Sequence, residues 1–377
     1  MDAPPGLDPA VRPIPGALAL ADLEAIRLIL RGGSVIDWHR LNFEARAQID
    51  AFIGVLELDL DDPEDRDRTE RVKQAAIDYL RRNFDFPIPK PVERSGLVEL
   101  MTLASGKGHR QLCACAILKV MHIIHHLESR ELLYRLPMSD QDVFQMVEAK
   151  VYRVIGGMLA GGYPILEFIG GRKNRDSMYT KLLSKPETVA AAIYDKLRFR
   201  IVTRSLDDVF PVLDELTRRL FPFNYVTPHE SKNTLFHFRS YCEEQEPLRD
   251  LFPRLQLSPD LEGDPDPRTD NRFTAPSFRT VHFVVDMPIR LERRLVPEDA
   301  RHLGRIIFAQ TEFQLVDRET EQANESGEAS HDAYKRRQRV AVARRLKVGL
   351  EDDGVGSAAG DSPRPSRARR RSGRNPR

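Results

Sequence analysis

The stretch Arg305–Val316, R-I-I-F-A-Q-T-E-F-Q-L-V, decides the fold of the second half of this chain. Ile307, Ala309, Thr311, Phe313 and Leu315 alternate with Phe308, Gln310, Glu312 and Gln314. Successive side chains of a strand point to opposite faces, so the first set predicts a core face and the second a polar one. A carboxylate and two amides on an otherwise apolar strand suit a ligand cleft, and an ordinary solvated face has the same pattern. Upstream, Thr280–Asp286 (TVHFVVD) and Phe199–Thr203 also read as strands. Asp176–Leu183, Pro186–Tyr194, Asp207–Leu220 (with Pro211 in its first turn) and the basic run Glu325–Val348 read as helices. Helices interleaved with strands predict an α/β or α+β domain around one sheet.

The first half has a different texture. Residues 1–16 are Pro-rich and predict a disordered lead. From Leu18 to Leu159 the spacing is helical, with helices over Ala21–Leu30, Arg66–Phe84, Gln111–Leu133 and Ser139–Leu159. Paired glycines at 156–157, 161–162 and 170–171 break the pattern near a domain boundary. The expected organisation is a helical domain of unassigned role over 17–160, a second domain over 165–348, and a disordered tail over 350–377.

Composition excludes several classes. Hydrophobic residues are 41% and charged residues 31% of 377, an ordinary globular balance. No run of 18 apolar residues occurs, so no membrane span is expected. The N-terminus lacks the basic-then-apolar order of a signal peptide. Three cysteines (Cys113, Cys115, Cys242) predict no disulfide framework and fit a reducing cytoplasm. Arg364–Arg377 holds seven Arg and no acid, and removing those seven charges from the net +1 leaves the rest at −6. Such a tail could hold RNA or DNA through phosphates without sequence choice, or be a soluble disordered extension. Cys113, Cys115, His122, His125 and His126 share an apolar helix, where a packing role is favoured over a metal site.

Three separated stretches carry the candidate chemistry: GRKNRDSMYTK (Gly171–Lys181), IYDKLRFRIV (Ile193–Val202) and TEFQLVD (Thr311–Asp317). The first gathers Arg172, Lys173, Arg175 and Lys181 around Ser177. Lys173, Ser177 and Lys181 are four apart and on a helix would share one face. Cations there suit a polyphosphate, although a charge run is more often a solvated surface. Asp195 precedes an apolar run, with Arg200 five residues on, and Glu312 lies on the polar face of its strand. Two carboxylates on neighbouring strands facing cations form a plausible Mg²⁺–nucleotide site.

These elements, in this order, resemble the synthetase domain of the RelA/SpoT family over Gly171–Gln338. Lys173, Ser177 and Lys181 fall in register with the family's R-x-K-x₃-S-I-x₂-K, while Arg172 is one residue off the Arg place. Asp195 and Arg200 match D-x₄-R. Asn224-Tyr225-Val226 with Pro228 is similar to D-Y-I-x-x-P. Phe278 to His282 resembles Y-x-S-L-H, Glu312-Phe313-Gln314 matches E-x-Q, and His331 with Tyr334-Lys335 matches H-x-x-Y-K. The chain departs from the pattern in an insertion over about 229–274, in Pro276-Ser277, and in Val316-Asp317 after E-x-Q.

The resemblance implies an α+β protein: an N-terminal all-helical region followed by a nucleotidyltransferase-like mixed β-sheet flanked by helices. It implies transfer of pyrophosphate from ATP to the 3′-OH of a guanine nucleotide. Asp195 and Glu312 would then hold Mg²⁺ and act catalytically. Arg172, Lys173, Ser177, Lys181 and Arg200 would bind ATP. Tyr225, Phe278, His282, Gln314, His331 and Lys335 would face the acceptor. The same chemistry on a tRNA 3′ end or an adenine nucleotide is the first alternative, and a non-catalytic nucleotide- or RNA-binding relative the second. No membrane partner is expected, and a homo-oligomer is compatible.

Overall fold

Helix signals fill the chain up to Ala160. The computed structural model describes residues 18–185, 196–255 and 273–346. Seven described helices precede the first strand: α1 (Leu20–Arg31), α2 (Arg46–Val55), α3 (Pro63–Phe84), α4 (Lys90–Arg94), α5 (Leu97–Ala104), α6 (His109–Arg135) and α7 (Asp140–Ala160). The α3 start combines Pro63 at the first position with Asp62 as cap, its side chain accepting from the Glu64 amide at 3.0 Å. Ser139 and Asp142 cap α7 reciprocally. Helices α2, α4 and α5 were not expected from spacing. They have 10, 5 and 8 residues, too short to persist alone, so tertiary packing sustains them. By length and composition α6 could cross a bilayer, but in this fold it packs on α3, α5 and the sheet, with Cys113, Ile117 and Leu132 wholly buried.

Then follow β1 (Ile165–Arg172), α8 (Arg175–Ser184), β2 (Leu197–Thr203), α9 (Val209–Arg219), β3 (Lys232–Asn233), α10 (Phe238–Glu244), α11 (Glu246–Arg249), β4 (Val281–Arg290), β5 (Ile306–Asp317), α12 (Arg318–Asn324) and α13 (His331–Leu346). The strands form one mixed sheet of order β1-β2-β5-β4-β3, with β2 and β5 parallel and the other pairs antiparallel. One face is a ladder of rings: Phe168 on Phe199, Phe199 on Phe313 and Phe313 on Phe283, with centroids 5.6, 5.6 and 5.7 Å apart. Each such pair contributes about 0.5–1.5 kcal/mol beyond its burial. Tyr152 of α7 and Phe221 beyond α9 close over this ladder.

The helices and the sheet share one buried apolar cluster running from Leu20 to Leu315. Ion pairs reinforce the junction. Arg290 and Arg305 reach Asp65 and Asp62 at the start of α3, and Lys150 of α7 donates to the Pro288 carbonyl at 2.8 Å.

Strand β1 is the main departure from the sequence reading, which took Gly170 and Gly171 as breakers. Helix α13 starts at His331, six residues later than expected, because α12 and a 3₁₀ turn occupy the approach. The expected lead (1–16), helix Pro186–Tyr194, Asp195, part of the insertion (256–272) and the Arg-rich tail lie outside the described residues.

Candidate functional site

The register of the sheet assembles a polar face opposite the ring ladder. Residues directly across from one another share a face. Gly171 stands across from Arg198, and Arg198 across from Glu312. One step along, Ile169, Arg200, Gln314, His282 and Lys232 form a row across all five strands. Thus Glu312, Gln314, His282 and Arg200, predicted from three separate motifs, come together.

Their side chains form one connected polar chain. Glu312 is 4% exposed, and its Oε1 accepts from Gln314 Nε2 at 2.6 Å and lies 3.3 Å from His282 Nε2. Gln314 Oε1 accepts from Arg200 Nε and Nη2 at 3.2 and 3.1 Å, which fixes the amide orientation. Arg200 Nη1 reaches Glu321 of α12 at 2.5 Å and Glu325 at 3.5 Å. Arg200 is therefore committed to protein carboxylates, and its first task is to dock α12 on the sheet.

Asn174, whose side chain accepts from the Ser177 amide at 2.8 Å, caps α8. Lys173 precedes that cap, so only Ser177 and Lys181 of the expected four-spaced trio ride on the helix. Ser177 Oγ accepts from Lys335 Nζ at 3.2 Å, joining α8 to α13. His331 opens α13 beside Lys335 and Arg198, and burial, then the charges of Lys335 and Arg198, hold its imidazole below the ordinary value. Phe278 is half-buried in the turn before β4, where its amide donates to the Ala275 carbonyl at 3.1 Å.

Two expectations need correction. Arg172 stands across from Leu197, which places it on the face of the ring ladder and away from Glu312. There it pairs in bidentate fashion with Glu148 of α7 at 2.8 and 2.6 Å. Being one residue off the motif turns a strand side chain to the other side of the sheet. Tyr225 is 2% exposed, packed against His122, His126 and Phe308, and burial pushes its phenol far up. It belongs to the core and presents no surface to an acceptor.

Sequence reading also missed a residue. Arg198 is exposed on the polar face, and the alternation Leu197, Arg198, Phe199, Arg200, Ile201 was the signal that could have found it. Asp317, one of the departures from the family pattern, is the cap of α12 and accepts from the Glu319 and Thr320 amides at 3.0 Å each. An apolar cavity lined by Leu41, Phe52, Met101, Met121 and Tyr225 lies among the helices and holds none of the polar-row residues.

Among the described residues no group of three or more His, Cys, Asp or Glu is arranged to hold a metal ion. Glu312 is a single carboxylate, which fits Mg²⁺ in kind, because that ion commonly takes one or two carboxylates and fills its shell with substrate phosphates and water.

No family model and no curated protein matches the sequence. Solved structures that resemble the chain include small alarmone synthetases and a GTP pyrophosphokinase family protein. Small alarmone synthetase 1 from Bacillus subtilis is 13% identical over 55% of this chain and 86% of its own, with a TM-score of 0.28. Small alarmone synthetase 2 from the same organism is 14% identical over 54% and 91%, with a TM-score of 0.28. A GTP pyrophosphokinase family protein from Streptococcus pneumoniae is 13% identical over 55% and 83%, with a TM-score of 0.27. Likeness this slight assigns no residue and no reaction to the chain.

Proposed function

We propose that the chain is an ATP-dependent pyrophosphotransferase whose acceptor is the 3′-OH of a guanine nucleotide. The observation that carries this reading is the meeting of Glu312, Gln314, His282 and Arg200 on one polar face, each from a motif that resembles the RelA/SpoT synthetase pattern. In the reaction the acceptor 3′-oxygen bonds to the β-phosphorus of ATP. The bridging bond between the α- and β-phosphates breaks, and AMP leaves with the bridging oxygen. Glu312, on the face where the reacting atoms would meet, takes the hydroxyl proton.

Asp195 and Glu312 would hold Mg²⁺, which would supply charge neutralisation on the phosphates. Lys173, Lys181 and Lys335 add positive charge around the transferred group. Phosphoryl-type transfer is mostly positioning and electrostatics, so such a set is sufficient in kind. His282 and Gln314 hold the Glu312 carboxylate in place. Phe278, in its turn beside the sheet, stacks on the acceptor base, a contact worth about 1–3 kcal/mol with any base.

The test incubates the full chain with labelled ATP, Mg²⁺ and, separately, GDP, GTP, ADP and tRNA. Labelled GDP or GTP product supports the reading. Label moving only to ADP or tRNA keeps the chemistry and replaces the acceptor. Transfer to none overturns it in favour of a non-catalytic relative.

A further inference from the structure

The cations around β1 and β2 are not equally available. Arg172 faces the other side of the sheet and is neutralised by Glu148. Arg200 is held by Gln314, Glu321 and Glu325. Lys196 lies 3.3 Å from Asp140. Arg198 differs from all three. It is exposed, it stands directly across from Glu312, and among the described residues no carboxylate pairs with it.

The space beside it is also open. Arg198 stands across from Gly171 on β1, and a Cβ built on Gly171 would meet nothing within 4 Å. The neighbouring Gly170 is the opposite case, since a Cβ there would lie 2.6 Å from the Tyr152 hydroxyl and 3.0 Å from the Phe199 ring. So the gap at 171 is a feature of the polar face alone. On α13, His331 lies close enough to feel the charges of both Arg198 and Lys335, and Lys335 donates to Ser177 of α8 at 3.2 Å.

We propose that Arg198 is the principal polyphosphate-binding side chain of the polar face, supplying from β2 the guanidinium that β1 lacks at Gly171. This rests on the reading of that face as the ATP site. A planar guanidinium can clasp two phosphate oxygens at once, which an ammonium cannot, so the role is specific to Arg rather than to positive charge. Its ligand class is a nucleoside triphosphate held by its β- and γ-phosphates.

A guanidinium moved from β2 to β1 should therefore restore most of the binding. Binding of inorganic tripolyphosphate, and of a non-hydrolysable ATP analogue with Mg²⁺, is measured by calorimetry on the full chain. The variants are Arg198→Ala, Arg198→Lys and the exchange Gly171→Arg with Arg198→Ala. Charge-assisted hydrogen bonds of this kind correspond to about 10–100-fold in affinity, so Arg198→Ala weakens tripolyphosphate by that factor. Arg198→Lys recovers only part, and the exchange recovers most. Thermal unfolding of Arg198→Ala stays at the wild-type midpoint, because the side chain is exposed.

Equal binding by wild type and Arg198→Ala overturns the proposal, whether or not pyrophosphate is transferred. Failure of the wild type to bind tripolyphosphate overturns it as well. If the Arg198→Ala defect and the exchange rescue appear while no acceptor takes label, the inference stands and only the transferase reading falls.

Discussion

Gln314 donates from Nε2 to Glu312 Oε1 at 2.6 Å, two residues apart on the same face of β5. The contact holds a buried carboxylate in a fixed pose, and the same amide accepts from Arg200. Glu312→Gln and Glu312→Ala are expected to lower transfer by ~10²–10³-fold or more, the scale of losing one preorganised electrostatic group being ~10²–10³-fold. Asp195→Ala is expected to do the same. Circular dichroism and thermal unfolding should show a retained fold. Substantial transfer by either Glu312 variant in Mg²⁺ would remove that carboxylate from the mechanism.

Arg200 and Glu321 test whether the helix after β5 is docked by charge. Their side chains are 19% and 17% exposed. Removing one partner of a fully buried pair costs ~3–5 kcal/mol, and this partly solvated one should cost about 2 kcal/mol. Arg200→Ala should therefore unfold at lower denaturant, and Arg200→Ala with Glu321→Ala should recover part of the loss by removing the orphaned carboxylate. Denaturant titration of the two single variants and the double variant measures this, and strict additivity would exclude the coupling.

The polar face was legible because strand alternation is rigid: once Glu312 is on a strand, Gln310 and Gln314 must share its side. The same rule explains the Arg172 error, since a motif displaced by one residue inverts on a strand and merely rotates on a helix. Strand β1 escaped because Gly170-Gly171 looks like a breaker, whereas Gly170 is required by the nearby Tyr152 hydroxyl of α7, a contact between elements that local sequence does not contain. Tyr225 was misplaced for a related reason. A tyrosine in a motif gives no sign of burial, and here α6 supplies the histidines that cover it.

Gly170 and Gly171 give a paired stability prediction. Alanine at 170 must push aside the Tyr152 hydroxyl and crowd the Phe199 ring, which should destabilise by about 1–3 kcal/mol. Combining it with Tyr152→Phe removes the hydroxyl oxygen and should recover part of the loss. Alanine at 171 meets nothing and should leave stability within about 0.5 kcal/mol. Unfolding midpoints of the three variants decide, and equal effects at 170 and 171 would contradict the packing described for α7 on β1.

Asp214 of α9 predicts how stability depends on pH. It is 6% exposed, its Oδ1 has no hydrogen-bond partner, and Asp22 lies close enough to repel it. Burial and then Asp22 push its carboxyl up to about 7, against the pull of Arg218 Nε at 3.3 Å. A carboxyl raised on folding means the native state binds more protons than the unfolded chain between the ordinary value and about 7. Its contribution is fully present below the unfolded value and is lost as pH rises through about 7. Wild type should therefore be less stable at pH 8 than at pH 6. Asp214→Asn should flatten that slope and be the more stable protein at pH 8, with Arg218 still paired to Asp22 at 2.6 Å. Denaturant unfolding at both pH values provides the comparison, and a variant that keeps the wild-type slope would place the titrating group elsewhere.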